Sequence, residues 1–124
     1  PSRGLCIDGG GTFSLPRLVG LARALEIAAF DRPIPANQAL QWGLATKVVQ
    51  DQAVCEETVR MLQQLAARSL NSFCWSKRLL NDAFDTALES QLERERHGIE
   101  QAVSHPDGRE GLKSFVERRQ PVFP

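Results

Sequence analysis

Apolar residues recur at helical spacing along most of the chain, which predicts a mainly α-helical structure. Across residues 15–30 this spacing continues on both sides of Gly20, which predicts one short helix followed by a second. Residues 31–35 then interrupt the pattern, because a proline lacks a backbone N–H and restricts the residue before it. Two more helical turns at residues 36–42 end at Gly43, where a left-handed C-cap is expected.

Four further helices are predicted in the second half of the chain. Asp51 is the expected N-cap of a helix that reaches about residue 68, and residues 70–72 separate it from a helix at residues 73–84. Thr86 and Glu89 have the spacing of a capping box, which would open the third helix, and the fourth covers about residues 107–119. The best strand candidate is residues 45–49, a short β-branched run expected at a sheet edge or in an isolated pair.

The length of the chain predicts one domain of modest size, and its charge balance predicts no strong electrostatic field. The chain has 124 residues, and its 15 basic and 15 acidic side chains cancel. This balance gives no general attraction to nucleic acid or to an anionic membrane, so any anion site is local. No apolar run approaches the roughly 20 residues of a membrane span, and the N-terminus does not have the form of a signal peptide. We therefore expect neither nucleic acid nor a membrane as a partner.

The soft ligands of the chain are sparse and scattered. There are three cysteines and two histidines, namely Cys6, Cys55, Cys74, His97 and His105. An odd number of distant cysteines argues against a disulfide framework, and their spacing does not match a zinc site, so no metal is expected. Free thiols indicate a reducing compartment, which is the cytoplasm or, in a eukaryote, an organelle matrix.

Asp8 and the three glycines that follow it form the stretch with the clearest chemical potential. Glycine adopts positive φ and lets the backbone approach a ligand closely, and Thr12, Ser14 and Pro16 then indicate the first turn of a helix. Asp8 is thereby placed at a helix N-terminus, where a carboxylate interacts favourably with unpaired N–H groups and can serve as a base or nucleophile. The same residues also fit an ordinary Asp-Gly turn in which the aspartate caps the helix.

Several short motifs occur in a fixed order along the chain. They are Gly-Gly-Thr-x-x-Leu-Pro-Arg-Leu-Val-Gly at residues 10–20, Arg-Ala-Leu-Glu at residues 23–26, Ala-Leu-x-Trp-Gly-Leu at residues 39–44, Val-Val at residues 48–49, and Asp-x-x-Glu-Gly-Leu-x-x-Phe-x-Glu-Arg-Arg-x-Pro-x-Phe at residues 107–123. This order and spacing resembles the enoyl-CoA hydratase/isomerase (crotonase) family over essentially the whole chain.

The resemblance implies that the chain is the C-terminal helical part of the α/β ClpP/crotonase-like fold. Residues 1–50 would form the end of the crotonase core, with the active-site loop, helices and a short strand. Residues 51–124 would form a C-terminal helical oligomerisation region, so a homo-oligomer, trimeric or hexameric, is expected. In the family, two backbone N–H groups stabilise a thioester enolate, and the segments that carry them would precede residue 1. Because the chain also opens without methionine, we expect it to be a fragment that lacks an N-terminal half.

The resemblance also implies a substrate and a reaction. The substrate would be an acyl-CoA thioester of fatty acid metabolism, with coenzyme A as part of the substrate and no separate cofactor. Hydratases of the family usually have glycine at the position of Asp8, whereas some isomerases and an aryl-CoA dehalogenase branch resemble this sequence in having aspartate. Asp8 is therefore the candidate catalytic acid or base, Gly9 and Gly10 are candidate substrate contacts, and isomerase chemistry is favoured over hydration by a lyase.

The C-terminal residues offer a second candidate contact with the substrate. In the family, basic and aromatic side chains near the end of the last helix can cover the adenine or the phosphates of CoA, and the matching residues are Arg118, Arg119 and Phe123. The two arginines also fit a simpler role as cations at a helix C-terminus. The alternative to an enzyme is a non-catalytic helical oligomerisation or interaction module derived from the family. Apolar stripes on nearly every helix fit that alternative, because an unpartnered half would expose them.

Overall fold

The computed structural model describes residues 2–123, and this part of the chain is mainly helical. Its α-helices are α1 (Gly11–Val19), α2 (Leu21–Phe30), α3 (Ala36–Gln41), α4 (Val54–Ala66), α5 (Leu70–Asp82), α6 (Leu88–Ser104) and α7 (Pro106–Val116). Two short 3₁₀-helices lie at Asp51–Ala53 and Ala83–Asp85. The predicted mainly α class is confirmed.

The predicted strand is wrong. Residues 45–49 have no regular secondary structure, and residues 2–123 as a whole contain no β-strand. The β-branched side chains at Thr46, Val48 and Val49 favour a pleated, half-buried surface, but a strand forms only beside a second extended segment. Val48 and Val49 are half-buried without such a neighbour.

The chain divides into two compact units, Pro1–Val54 and Cys55–Pro124. In the first unit α1 and α2 pack against each other, and Gly20, with φ 78°, separates them as the sequence predicts. Gly43 has φ 75°, and the N–H of the next residue, Leu44, donates to the Ala39 carbonyl at 2.9 Å. This confirms the predicted left-handed end of α3.

Helices α5, α6 and α7 pack together in the second unit. Gly98 lets α6 approach α5 closely, because a Cβ at this position would lie 3.1 Å from Cδ1 of Leu79 and 3.4 Å from Cε3 of Trp75. Next to this contact, Gln91 is buried and its Nε2 donates to the Leu79 carbonyl at 3.0 Å. A small residue and a buried amide therefore set the distance between the two helices.

Several predicted helix starts differ from those in the structure. Asp51 begins a 3₁₀ turn instead of capping α4, which starts at Val54. Ser69 caps α5 by accepting from the Ser72 N–H at 3.2 Å, so residues 70–72 belong to the helix and do not interrupt it.

Two further corrections concern α6 and α1. The Thr86 hydroxyl donates to the Asp82 carbonyl at 2.7 Å, and Ala87 is the N-cap of α6 without a side-chain cap, so the predicted capping box does not form. In α1 the helix begins at Gly11, which places Pro16 in its interior instead of its first turn. The helix continues there without the backbone hydrogen bond that Pro16 cannot donate.

Candidate functional site

The loop before α1 presents the Asp8 carboxylate to solvent. Asp8 is exposed, and its backbone carbonyl, rather than its side chain, accepts a hydrogen bond from the Gly11 N–H at 2.9 Å. Within residues 2–123 the carboxylate has no hydrogen bond or ion pair, and α1 has no side-chain N-cap. The capping role that an aspartate commonly has at this place is therefore not observed.

The glycines next to Asp8 are required by the backbone conformation. Gly9 and Gly10 have φ 58° and 85°, which an L residue with a Cβ adopts only with strain. A Cβ on either would meet no atom within 4 Å, so conformation and not space selects glycine here. At Gly11 the reason is space, because a Cβ would collide with Cγ2 of Ile7.

An apolar pocket of about 400 Å³ adjoins this loop within the first unit. Ile7, the residue before Asp8, lines it together with Leu5, Cys6, Leu15, Ile27 and Ala28, and Arg3 and Asp31 add charged groups to the lining. The exposed carboxylate is thus one residue along the chain from an apolar cavity.

In the second unit the two predicted arginines differ in their contacts. Arg119 donates from Nη1 to Oε1 of Glu110 at 2.5 Å, from Nη2 to Oε2 of Glu110 at 2.9 Å, and from Nε to Oε2 of Glu117 at 2.7 Å. Arg118 is exposed, and its side chain has no hydrogen bond or ion pair in the part of the chain that the structure describes. Its backbone is left-handed, with φ 53°.

Glu110 is the residue on which these contacts converge. Besides the two bonds from Arg119, its Oε1 accepts from the Val122 N–H at 3.0 Å. Hydrogen bonds from Arg119, and then the Val122 N–H, lower the pKa of the Glu110 carboxyl to about 2. The hydrogen bonds that Arg119 donates, first to Glu110 and then to Glu117, raise the pKa of the Arg119 guanidinium. The sequence motif contains Glu110, but the sequence alone does not indicate that the Glu110 carboxylate binds Arg119 rather than solvent.

Phe123 is half-buried in a groove of the second unit. The groove has a volume of about 620 Å³, and Gln64, Leu65, Ala67, Arg68, Gln120 and Pro121 form the rest of its lining. Arg68 supplies a cation there that the sequence analysis did not single out.

The candidate residues thus fall into two groups, each within its own unit. Asp8, Gly9 and Gly10 are adjacent in the first unit, and Arg118, Arg119 and Phe123 follow α7 in the second. Among the described residues, no group of three or more His, Cys, Asp or Glu side chains is arranged to hold a metal ion. The three cysteines are free and exposed, and none of the described helices is long and apolar enough to cross a bilayer.

The model of the enoyl-CoA hydratase/isomerase family matches residues 2–124 of the chain. The chain belongs to this family. It is 34% identical over 120 residues to a 1,2-epoxyphenylacetyl-CoA isomerase from Escherichia coli, an alignment that covers 97% of this chain and 46% of that protein. It is 33% identical over 120 residues to a probable enoyl-CoA hydratase from Rhodobacter capsulatus, which covers 97% of this chain and 47% of that protein.

A solved structure agrees with this assignment. An enoyl-CoA hydratase subunit from Geobacillus kaustophilus superposes with a TM-score of 0.94 at 30% identity, covering 99% of this chain and 48% of that structure. The predicted membership of the crotonase fold is therefore confirmed. The chain spans about half the length of the curated relatives it matches.

Proposed function

We propose that this chain supplies an active-site loop and the C-terminal helices of an acyl-CoA enzyme that shifts a double bond, with Asp8 as its catalytic acid and base. The observation that carries the proposal is the Asp8 carboxylate, exposed and without a hydrogen bond in the described chain, beside the left-handed Gly9 and Gly10. The E. coli relative, which is named as an isomerase of an epoxide-bearing CoA thioester, supports isomerisation over hydration as the reaction class.

The chemistry needs one group that first accepts and then returns a proton. In a β,γ-unsaturated thioester, Asp8 would remove a proton from the carbon next to the carbonyl, which leaves an enolate. The same carboxyl would return the proton at the γ carbon, so that the double bond moves and all atoms are conserved. The N–H pair that stabilises the enolate oxygen would come from the part of the family protein that this chain does not cover.

The remaining parts of the proposal concern substrate binding and assembly. The apolar pocket beside Ile7 is suited to the acyl group, and Arg118 and Phe123 to the nucleotide of CoA, by charge and by ring stacking respectively. CoA would enter as part of the substrate, and no other cofactor is required for a proton shift. A trimer or hexamer would cover the apolar side chains that the helices leave exposed.

A chimaeric enzyme tests the role of Asp8. In it, the chain replaces the matching 120 residues of the E. coli relative, and isomerisation and hydration of enoyl-CoA are both followed. Asp8→Asn is expected to lower kcat for isomerisation by roughly 10²- to 10⁴-fold, the contribution typical of a general acid or base, with little change in KM. Asp51→Asn, at another exposed aspartate of the first unit, is the matched control. An Asp8→Asn chimaera that retains the parent rate would refute the assignment.

The burial pattern favours a second candidate function, a non-catalytic packing module. Among the described apolar side chains Ala24 alone is buried, at 8% exposure, whereas Phe115, Val116 and Leu88 are 82%, 80% and 68% exposed. Apolar patches of this kind mark surfaces that bind another protein segment. An inactive chimaera that still self-associates would support the module over the enzyme.

A further inference from the structure

The segment after α7 is fastened to the helix by one carboxylate. Glu110, in the middle of α7, accepts from both terminal nitrogens of Arg119 and from the Val122 N–H, so residues on both sides of Gln120 are fixed to the same side chain. A guanidinium is planar and offers paired N–H groups that match the two oxygens of a carboxylate, which fixes orientation as well as distance. Glu117 accepts a further hydrogen bond from Nε of Arg119.

Arg118 directly precedes Arg119, and its backbone has a conformation that needs support. Its φ of 53° is unfavourable for a residue with a Cβ and persists only where neighbouring contacts hold it. Those contacts are the Arg118 N–H on the Phe115 carbonyl at 3.2 Å and the Arg119 N–H on the Ser114 carbonyl at 3.0 Å, together with the bonds from the Arg119 side chain to Glu110. The fixed guanidinium of Arg119 is thus adjacent in sequence to the free guanidinium of Arg118.

We propose that Glu110 and Arg119 are positioning residues, which hold Arg118 in its left-handed conformation so that the Arg118 guanidinium meets a phosphate of the CoA nucleotide. This inference rests on the proposed function, because it takes CoA as the ligand. The two adjacent arginines then have different roles. Arg119 binds the protein itself through carboxylates that a phosphate would have to displace, and Arg118 binds the ligand.

The low pKa of Glu110, about 2, agrees with this division, because the carboxylate remains charged and paired throughout the physiological pH range. A lysine at position 119 would keep the charge but lose the paired N–H geometry. Arg119→Lys is therefore expected to release Arg118 from its left-handed conformation much as Glu110→Gln does, although the positive charge at position 119 is kept.

Calorimetric titration of the full chain with CoA and with pantetheine, which lacks the nucleotide and all phosphates, measures the contribution of the whole nucleotide, and the effect of Arg118→Gln on that contribution reports the phosphate contact. We expect the unaltered chain to prefer CoA and Arg118→Gln to reduce that preference by roughly 10-fold or more, as for the loss of a charged hydrogen bond. Glu110→Gln and Arg119→Lys should each remove most of the same preference. The double variant Glu110→Gln with Arg118→Gln should lose no more than Arg118→Gln alone, because both changes act through one contact.

Two controls separate positioning from a general loss of structure or charge. Arg109→Gln removes an exposed cation from α7, and Glu95→Gln removes an exposed carboxylate from α6. Neither substitution should change the preference for CoA.

A separate measurement reports on the anchored segment itself. Hydrogen exchange of the Val122 amide, which donates to Glu110, should quicken roughly 10-fold or more in Glu110→Gln while the helical circular dichroism is kept.

The outcomes distinguish this inference from the function on which it rests. If the unaltered chain binds CoA and pantetheine equally, or if Arg118→Gln has no effect, the Arg118 contact of the proposed function fails and the positioning role fails with it. If Arg118→Gln removes the preference and Glu110→Gln and Arg119→Lys do not, the positioning role alone is overturned. Additive losses in the double variant would also overturn it.

Discussion

Ser69 and Asp107 join the N-terminal ends of two helices that are distant in sequence: the Ser69 hydroxyl, at the N-cap of α5, donates to Oδ2 of Asp107 in the first turn of α7 at 2.7 Å. The Asp107 side chain is 8% exposed, and the N–H of this residue donates to Nδ1 of His105, the N-cap of α7, at 3.2 Å. One carboxylate therefore connects the starts of both helices.

This connection predicts a stability loss at Ser69. Ser69→Ala removes the N-cap of α5, which typically costs about 1 kcal/mol, and leaves the buried Asp107 oxygen without its donor, which costs about 1–3 kcal/mol more. We expect a lowered urea midpoint with an unchanged slope. Ser90→Ala, at an exposed serine of α6, should stay within about 0.5 kcal/mol of the parent, and a similar loss in both variants would contradict the connection.

Gly10 and Gly111 predict opposite effects of the same substitution. Gly10 has φ 85°, so Gly10→Ala forces a Cβ into a left-handed residue and should destabilise the first unit by about 1 kcal/mol. Gly111 lies inside α7 with open space where a Cβ would lie, so Gly111→Ala should stabilise the helix by up to about 1 kcal/mol. Thermal unfolding of both variants measures the difference, and effects of the same sign would show that the loop before α1 is not left-handed at Gly10.

Glu110 predicts an acid-sensitive C-terminal segment. Its pKa is lowered from 4.5 to about 2 by Arg119 first and by the Val122 N–H second. A depressed pKa in the folded state means that this stabilisation is fully present above about pH 4.5 and is lost as the pH falls towards 2. The stability difference between the parent and Glu110→Gln should therefore shrink as the pH falls from about 4.5 to about 2, and salt should reduce it because the pair is solvent-accessible. A difference independent of pH would contradict the pairing with Arg119.

The sequence predicts best what depends on neighbouring residues. The break at Gly20 and the left-handed end of α3 at Gly43 follow from local backbone preferences, and both are confirmed. The strand at residues 45–49 depends on a partner elsewhere in the chain, which no local pattern contains. The capping box at Thr86 fails for a related reason, because the hydroxyl has a choice of partners and bonds the preceding turn at Asp82.

The candidate site shows the same limit. Arg118 and Arg119 are adjacent residues of the same type, and the sequence analysis assigns both of them the same role. What separates them is a left-handed φ at the first and a carboxylate nine residues before the second, at Glu110. Asp8 is likewise distinguished from a helix cap only by its hydrogen bonding, since its backbone carbonyl and not its side chain accepts from the Gly11 N–H.

Phe115 provides a test of the proposed assembly. It is 82% exposed, next to Val116 at 80%, so it contributes little to the packing of the described chain. Phe115→Ser should change the free energy of unfolding by no more than about 0.5 kcal/mol, as for surface positions generally. If a second copy covers this patch, the same change should weaken self-association by about 1.5–3 kcal/mol, which is the burial energy of a phenylalanine side chain.

Sedimentation equilibrium of the parent and of Phe115→Ser measures the association. Lys113→Ser, at an exposed position of the same helix, is the matched control for changes in solubility. Equal association of parent and Phe115→Ser would place the interface elsewhere, and the stripe on α6 formed by Leu88, Leu92, Ile99 and Val103 would be the next surface to change. If the parent chain remains monomeric at every concentration, the result would instead favour a different cover for the apolar surface, namely the part of the family protein that this chain does not span. Such a surface needs no second copy of the chain.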